Sequence, residues 1–466
     1  MAMGTAITMA IAGLLLPGAP VIASESRSPA QRTFFLTLDA VPYTSVAALH
    51  SSGGAPELFG ELGRPVPLIS TFPSTTTVAL GAALGPLGLE VSPGYEARFF
   101  DWEKGSVRGG GVISFFRIEF PWRSFFEWSK KGVARSAFAS LRPVGASERR
   151  VLNAFGAFLA SEQSDFFAYV ETTDTAAHLR GPAALDNMFR LLGRAIREAR
   201  SAGERFRVVV FSDHGIAGGE PLRNVLTGVL ETLERVGFKR AKHLRNANDV
   251  VLIPYGLVSS FEAYTEVDTA PRLAQVLVSV EGVGLCAYRT AEELWVVSGR
   301  GLAAIGRRGD EWSYRPQAGD PLGYRAVVDG LRLGRAESAQ GDWFSDLDWF
   351  EATWKEFYPD ALHRIAGGFE LVDNPASVLC SLEPGYMYGP KKTERAARLV
   401  GGKLRWTHGA LFWEASAGFL LTDVPSTNSG RGIRLASALR PLLSGSELEV
   451  GEAPARDARL KRSGRK

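Results

Sequence analysis

The feature that most constrains this chain is a series of short apolar runs, each stopping at a carboxylate or a polar loop. Thr33–Leu38 (TFFLTL) ends in Asp39, and Asp165–Glu171 (DFFAYVE) runs into TTDTAAHLRGP. Phe206–Phe211 (FRVVVF) runs into Ser212-Asp213-His214-Gly215. Runs of this length, rich in β-branched and aromatic residues, read as buried strands. Between them lie helical periodicities. Ala183–Ala202 places Leu185, Met188, Leu192 and Ile196 on one face, and a following helix places Leu222, Val225, Leu226, Val229 and Leu233 in register. Strands alternating with amphipathic helices predict an α/β sheet with helices on its faces. No repeat at a fixed period is apparent, which argues against a solenoid or propeller. In open α/β sheets ligands collect at the carboxyl ends of strands. Asp39, Asp174 and the Asp213-His214 pair are therefore grouped by position as well as by polarity.

The 466 residues suffice for one large α/β domain or two to three smaller ones. A net charge of +3 is too small for this length to point to nucleic acid or to an acidic partner. Residues 231–369 mix short strands (Leu294–Val297) with Gly/Pro turns and an aromatic, acidic stretch, and read as an inserted cap or subdomain. The catalytic core is then 33–230 with 370–445, where Ser377–Leu382, Leu404–His408 and a strand near Gly418–Thr422 close it. The basic stretch Arg456–Lys466 reads as a solvated, disordered tail.

Cys286 and Cys380 fit no thiolate metal spacing. A disulfide is permitted outside the cytoplasm, but buried free thiols are the expectation. Ile7–Ala23 is apolar and followed by a polar patch, which resembles the apolar region and small-residue exit of a secretory signal over 1–24, although no Lys or Arg precedes it. That reading puts the mature chain in the periplasm or outside the cell. An uncleaved segment would give the only route to membrane association, and a segment that is not a signal leaves the chain cytoplasmic.

The six histidines are His50, His178, His214, His243, His363 and His408. Taken singly, Asp174-xxx-His178 could be a capping Asp with a surface His, Asp39 a turn residue, and Thr407-His408-Gly409 no signal at all. Asp213-His214 at a strand end, with a Gly behind it for a tight turn, is more specific. Together, Asp39, Asp174, Asp213, His178, His214 and His408 supply the six N and O ligands that a hydrolytic site with two divalent ions needs. An Asp/His mixture without Cys suits Zn²⁺ first and Mn²⁺ second, whereas Mg²⁺ or Ca²⁺ would favour an all-oxygen set. In FPSTTTVALGAALG (Phe72–Gly85), the Pro and hydroxyl cluster signals a helix whose first turn lies near Thr75–Val78. A Thr hydroxyl at that helix start could act as an activated nucleophile, with helix N–H groups receiving phosphate. Thr71, Thr75, Thr76 and Thr77 are the candidates.

The order of Asp after strand one, Thr at a helix start, DxxxH, SDHG and a late HG resembles the alkaline phosphatase superfamily. It is most similar to the type I phosphodiesterase/nucleotide pyrophosphatase branch, whose bacterial members often carry a similar FPS-T-T string. The resemblance spans about Thr33 to Asp423. It implies an alkaline-phosphatase-like central, mostly parallel sheet flanked by helices, with an inserted cap. It also implies that Asp39, Asp213 and His214 hold one metal with Thr76 as nucleophile, and that Asp174, His178 and His408 hold the other. A phosphothreonine at Thr76 and a small-molecule phosphate ester substrate follow from the same likeness. One departure is Leu80-Gly81-Ala82-Ala83-Leu84-Gly85, where a TG is common in the family, and it bears on the helix register and the choice of Thr. The rivals are a phosphomonoesterase, a phosphoryl transferase of the mutase kind (which would normally use Ser), and a non-catalytic metal-binding homologue. A sulfatase would need a C/S-x-P-x-R string, which is absent. Phe115–Trp128 (FFRIEFPWRSFFEW) could face substrate, with packing under the sheet as the plainer reading.

Overall fold

The computed structural model describes residues 32–85, 88–110, 120–129, 142–333, 342–392, 394–395, 404–424 and 431–444. The segment 1–24, residues 115–119 of the aromatic stretch and the tail 456–466 lie outside them.

Six strands build the sheet that carries the motifs: β1 (Arg32–Leu38), β2 (Val66–Ile69), β3 (Asp165–Val170), β4 (Phe206–Phe211), β5 (Ala417–Thr422) and β6 (Ile433–Arg434). Their order is β6-β2-β5-β4-β1-β3. β1 runs parallel to both β3 and β4, β6 runs parallel to β2, and β5 is antiparallel to its two neighbours. Five strands therefore end at one edge, and β5 begins there. That polarity brings Asp39, the loop after β2, the helix after β3 and Asp213-His214 to the same edge as the segment that leads into β5 from His408.

Side chains alternate across this sheet as the strand period requires. Phe34, Leu36 and Leu38 face one layer with Val208 and Val210, where Met188, Leu192 and Ile196 pack from helix Asp186–Ser201. Phe35, Val209 and Phe211 face the other, against Leu80 and Leu84 of helix Thr76–Leu84 and Ala438 and Leu439 of helix Leu435–Ser444. Both faces are covered, as a mostly parallel sheet demands. The expected helix over 183–202 begins three residues later than its pattern, after a 3₁₀ turn at Pro182–Leu185. The next helix is Leu226–Arg235. Leu222 and Val225 precede it because Arg223–Asn224 pairs with Tyr386–Met387, and the Asn224 side chain accepts from the Leu226 N–H at 3.1 Å. Of the aromatic stretch, Phe120, Trp122 and Phe126 are buried against the sheet, so packing is what those three do.

A second sheet of nine strands is threaded between β4 and β5. Its order is Phe344–Ser345, Glu311–Gly319, Gly301–Arg308, Leu294–Ser298, Val283–Arg289, Val378–Leu382, Ser260–Tyr264, Asp249–Leu252 and Lys239–Arg240. The strand over Val378–Leu382 belongs to this sheet rather than to the first. One face, with Leu285, Ala287 and Leu379, packs toward Phe72, Val78, Leu411 and Phe412 behind the site loops. Arg434 of β6 ties the two parts together by pairing with Asp346 and with Asp360. Among the described residues no helix is long and apolar enough to cross a membrane.

The cysteines overturn the free-thiol expectation. Cys286 and Cys380 stand directly opposite each other on antiparallel neighbours and are joined as a disulfide. Sequence could not bring them together because they lie 94 residues apart, and only the strand register sets them face to face. Closing a loop of that length removes much denatured-state entropy, so a double Cys→Ser variant is expected to lose about 4–5 kcal/mol of unfolding free energy. Urea titration of oxidised wild type and variant checks this, and equal midpoints would contradict it.

Candidate active site

Each strand end presents its polar group through a local device. After β1 the chain turns at Ala40, whose φ of +57° is left-handed and costs an L-residue about 1–2 kcal/mol. The turn directs the Ala40 N–H to Asp213 Oδ1 at 3.4 Å and the Val41 N–H to Ser212 Oγ at 2.9 Å, so Asp39 and Asp213 are set side by side. Ser212 donates in turn to the His214 carbonyl at 2.7 Å. Gly215 does not make a tight turn. It permits close approach: a Cβ there would lie 2.5 Å from the Glu414 carbonyl oxygen and 2.7 Å from that of Ala417.

All seven residues singled out from sequence converge. Asp39, Asp213 and His214 form one group and Asp174, His178 and His408 another, each with ligand atoms within 4.8 Å of one another. Asp174 sits in the first turn of helix Thr172–Arg180 and His178 one turn on, with Nε2 3.1 Å from Asp174 Oδ1. His408 Nε2 approaches the same oxygen at 3.4 Å. In the other group His214 Nε2 lies 3.6 Å from Asp39 Oδ1 and 3.5 Å from Asp213 Oδ2. The rings of His214 and His408 stack at 4.3 Å, so the groups are neighbours. Thr76, the first residue of its helix, puts Oγ1 3.1 Å from Asp39 Oδ1 and 3.3 Å from His214 Nε2. Thr71 Oγ1 instead donates to the Pro73 carbonyl at 3.2 Å, and Thr75 is the N-cap residue.

The histidines share one arrangement. Nδ1 of His178 meets the Trp406 carbonyl at 2.7 Å, that of His214 the Gly215 carbonyl at 2.9 Å, and that of His408 the Ser74 carbonyl at 3.2 Å. A carbonyl oxygen can only accept, so each Nδ1 carries a proton and each Nε2 is the ring nitrogen turned toward the carboxylates. Backbone acceptors that fix tautomer and ring orientation are the usual support of histidine metal ligands. Asp213 Oδ2 is buried with no hydrogen-bond donor.

The acids are crowded. Burial raises the Asp39 carboxyl well above the ordinary range, and Asp213 and Asp174 push it further. Burial also raises Asp213. Against burial, His178 and His408 hold Asp174 well below its usual value, while burial and the nearby His214 bring His408 down to about 4. Burial pushes Glu96 up to about 8, with Glu262 and Asp174 adding to it. Neither group includes a lysine or an arginine. Two divalent ions, one per group, fit the donor chemistry.

No protein-family model matches the chain, and no curated protein matches it by sequence. Solved structures do match. Human ectonucleotide pyrophosphatase/phosphodiesterase 5 aligns with a TM-score of 0.50 at 11% identity, over 89% of this chain and 94% of that one. The fold is alkaline-phosphatase-like. The murine protein of the same name aligns at 0.48 and 11% identity over 91% of this chain and 98% of its own. An inactive form of it in complex with AMP aligns at 0.46 and 10% identity, over 89% and 94%.

Within this alkaline-phosphatase-like frame, sequence reasoning missed several supporting groups. Tyr169 donates its hydroxyl to Asp39 Oδ2, and Thr173 donates to the Asp39 carbonyl at 2.8 Å. The available signal was a Tyr inside an otherwise apolar strand, one residue short of its end.

The raised carboxyls fix the pH dependence. A folded pKa above the unfolded value contributes stability that is present below the unfolded pKa and lost as pH rises through the folded one. The metal-free chain therefore loses the Asp39 and Asp213 contributions on going from acid toward neutrality. A cation competes with those protons. Zn²⁺ affinity is expected to climb with pH through the raised values, with protons released on binding wherever those carboxyls are still protonated. Calorimetry in buffers of different ionisation enthalpy measures the release, and binding without any would contradict the crowding.

Proposed function

We propose that this chain is a two-metal phospho-ester hydrolase that works through a covalent phosphothreonine at Thr76. The observation that carries the reading is the shared setting of the three histidines. Each has Nδ1 tied to a backbone carbonyl and Nε2 turned to a carboxylate group, with the Thr76 hydroxyl at the edge of one group.

In this reading Asp39, Asp213 and His214, with Thr76, hold one divalent ion, and Asp174, His178 and His408 hold the second; zinc suits the donors best and manganese next. When bound, the ions supply positive charge that eases ionisation of a hydroxyl and offsets charge gathering on the phosphoryl oxygens. Thr76 Oγ1 forms its bond to phosphorus as the bond to the leaving oxygen breaks. The threonine proton passes to solvent, and the leaving oxygen takes one up. Water then attacks the phosphothreonine, the P–Oγ1 bond breaks, and the hydroxyl is restored. The first-turn N–H groups of helix Thr76–Leu84 stabilise phosphoryl oxygens through both steps.

The fold likeness to human ectonucleotide pyrophosphatase/phosphodiesterase 5 favours a small diester or pyrophosphate substrate over a monoester, with no role for nucleic acid as a polymer. The Cys286–Cys380 bond suits an oxidising compartment, hence a secreted or periplasmic protein. A panel of p-nitrophenyl phosphate, bis-p-nitrophenyl phosphate and nucleotide esters, with and without Zn²⁺, tests the assignment. Zinc-dependent turnover fastest on the diesters is expected. A monoester preference would move the reading to a phosphomonoesterase, and no turnover of any ester would leave a metal-binding protein.

A further inference from the structure

Arg364 is buried in helix Ala361–Gly368, far along the chain from every motif; among the described residues its hydrogen bonds go to carbonyls and a hydroxyl, with the Asp360 carboxylate acting on it through charge. Its Nη1 donates to the carbonyls of Pro359 at 3.0 Å and Leu411 at 2.7 Å. Its Nη2 donates to the Thr71 carbonyl at 3.0 Å and to Ser416 Oγ at 2.6 Å. Thr71 opens the loop that delivers Thr76. Leu411 and Ser416 lie on the segment that runs from His408 into β5. One guanidinium thus clamps the loop of the first ligand group to the loop of the second.

Ser74 completes the connection. Its N–H donates to the Gly409 carbonyl at 3.2 Å and its hydroxyl to the Ala410 carbonyl at 2.9 Å, while its own carbonyl accepts from His408 Nδ1. The residue that fixes the His408 tautomer therefore sits two positions before Thr76. A buried cation with mainly backbone partners is costly and contributes little net stability; burial brings this guanidinium down to about 10. Its forked geometry suits holding several oxygens at fixed spacing, which a lysine ammonium cannot reproduce.

We infer that Arg364, acting through Ser74 and the two loops, is a positioning residue that sets the spacing of the two ligand groups and the aim of His408. The inference rests on the two-metal reading above. Its consequence is coupling: loosening the brace shifts His408 relative to Thr76, so the ion held with His408 weakens and the two groups lose alignment. The other ion keeps its ligands.

The test is calorimetric Zn²⁺ titration of wild type, Arg364→Met, Arg364→Lys and Ser74→Ala, with kcat and KM for bis-p-nitrophenyl phosphate on the same preparations. Wild type is expected to take up two ions. In Arg364→Met one of the two affinities is expected to fall about 10–100-fold, as for loss of an outer partner of a metal ligand. The same variant should lose about 100-fold in kcat with KM little changed. Arg364→Lys should behave like Arg364→Met, since it keeps charge but not the fork. Ser74→Ala removes one hydroxyl and keeps the backbone bonds, so it reports even if the arginine variants fail to fold, with the same one-site weakening. Two unchanged affinities in Ser74→Ala, or in a folded Arg364→Met, overturn the brace and leave the hydrolase reading standing. A wild type that takes up no ion overturns the hydrolase reading itself.

Discussion

Thr76→Ala is expected to reduce kcat by about 10⁴-fold or more, the scale on which loss of a nucleophile acts, while the chain stays folded. The side chain is small, and its hydroxyl contacts Asp39 and His214 and also bears on Asp213. Removing it opens little space in the core, and all six Asp and His ligands remain. Zinc content should therefore stay near the wild-type level. Metal analysis beside turnover separates two roles for this hydroxyl. Lost turnover with retained metal identifies a nucleophile. Lost turnover with lost metal identifies a ligand only, and intact turnover would move the attack to Thr71, Thr75 or Thr77.

Asp213→Asn should act in opposite directions on the metal-free and metal-bound chain. Asp213 is almost fully buried, with Oδ2 unmatched by a donor, and its charge in turn raises the buried carboxyl of Asp39. Because burial raises its pKa in the folded state, the charged form is disfavoured there, and a neutral isostere removes that penalty at pH 8. The metal-free variant should therefore melt at a higher temperature than metal-free wild type. With zinc the order should reverse, since binding stabilises only the state that binds. Affinity at the Asp39, Asp213 and His214 group should fall by more than about 100-fold, beyond the loss of a mere outer partner. kcat should fall by about 10³-fold, comparable to removing a fixed charge from a transition-state site. Scanning calorimetry with chelator and with zinc reads both signs. Equal melting temperatures in both states would mean that no ion sits against Asp213.

How far these features could be read from sequence depended on how local their causes are. Asp39, Asp174, Asp213 and His214 follow strands whose apolar runs are continuous, and strand polarity alone brings such ends to one edge. Thr76 lies within one residue of where the helix-start chemistry of Pro73 and the hydroxyl cluster put it. His408 was less legible because it precedes an antiparallel strand, β5, and joins the edge from that strand's beginning rather than its end. What sequence hid was contact between distant segments. The Cys286–Cys380 pairing depends on register in the second sheet, and the Arg364 brace depends on how helix Ala361–Gly368 lies against two loops. Gly215 was visible as a special position for the wrong reason, since its missing side chain serves a close approach from Glu414 and Ala417. Tyr169 lies inside an apolar strand, and its hydroxyl reaches Asp39 only once β1 and β3 are paired.

The most direct test of the two-metal claim is a titration of activity against zinc equivalents. The chain is stripped with chelator, and hydrolysis of bis-p-nitrophenyl phosphate is followed as Zn²⁺ is added back. No turnover is expected in the stripped chain, followed by a rise that breaks at two equivalents per chain. Full turnover without added metal, or a break at one equivalent, would contradict it.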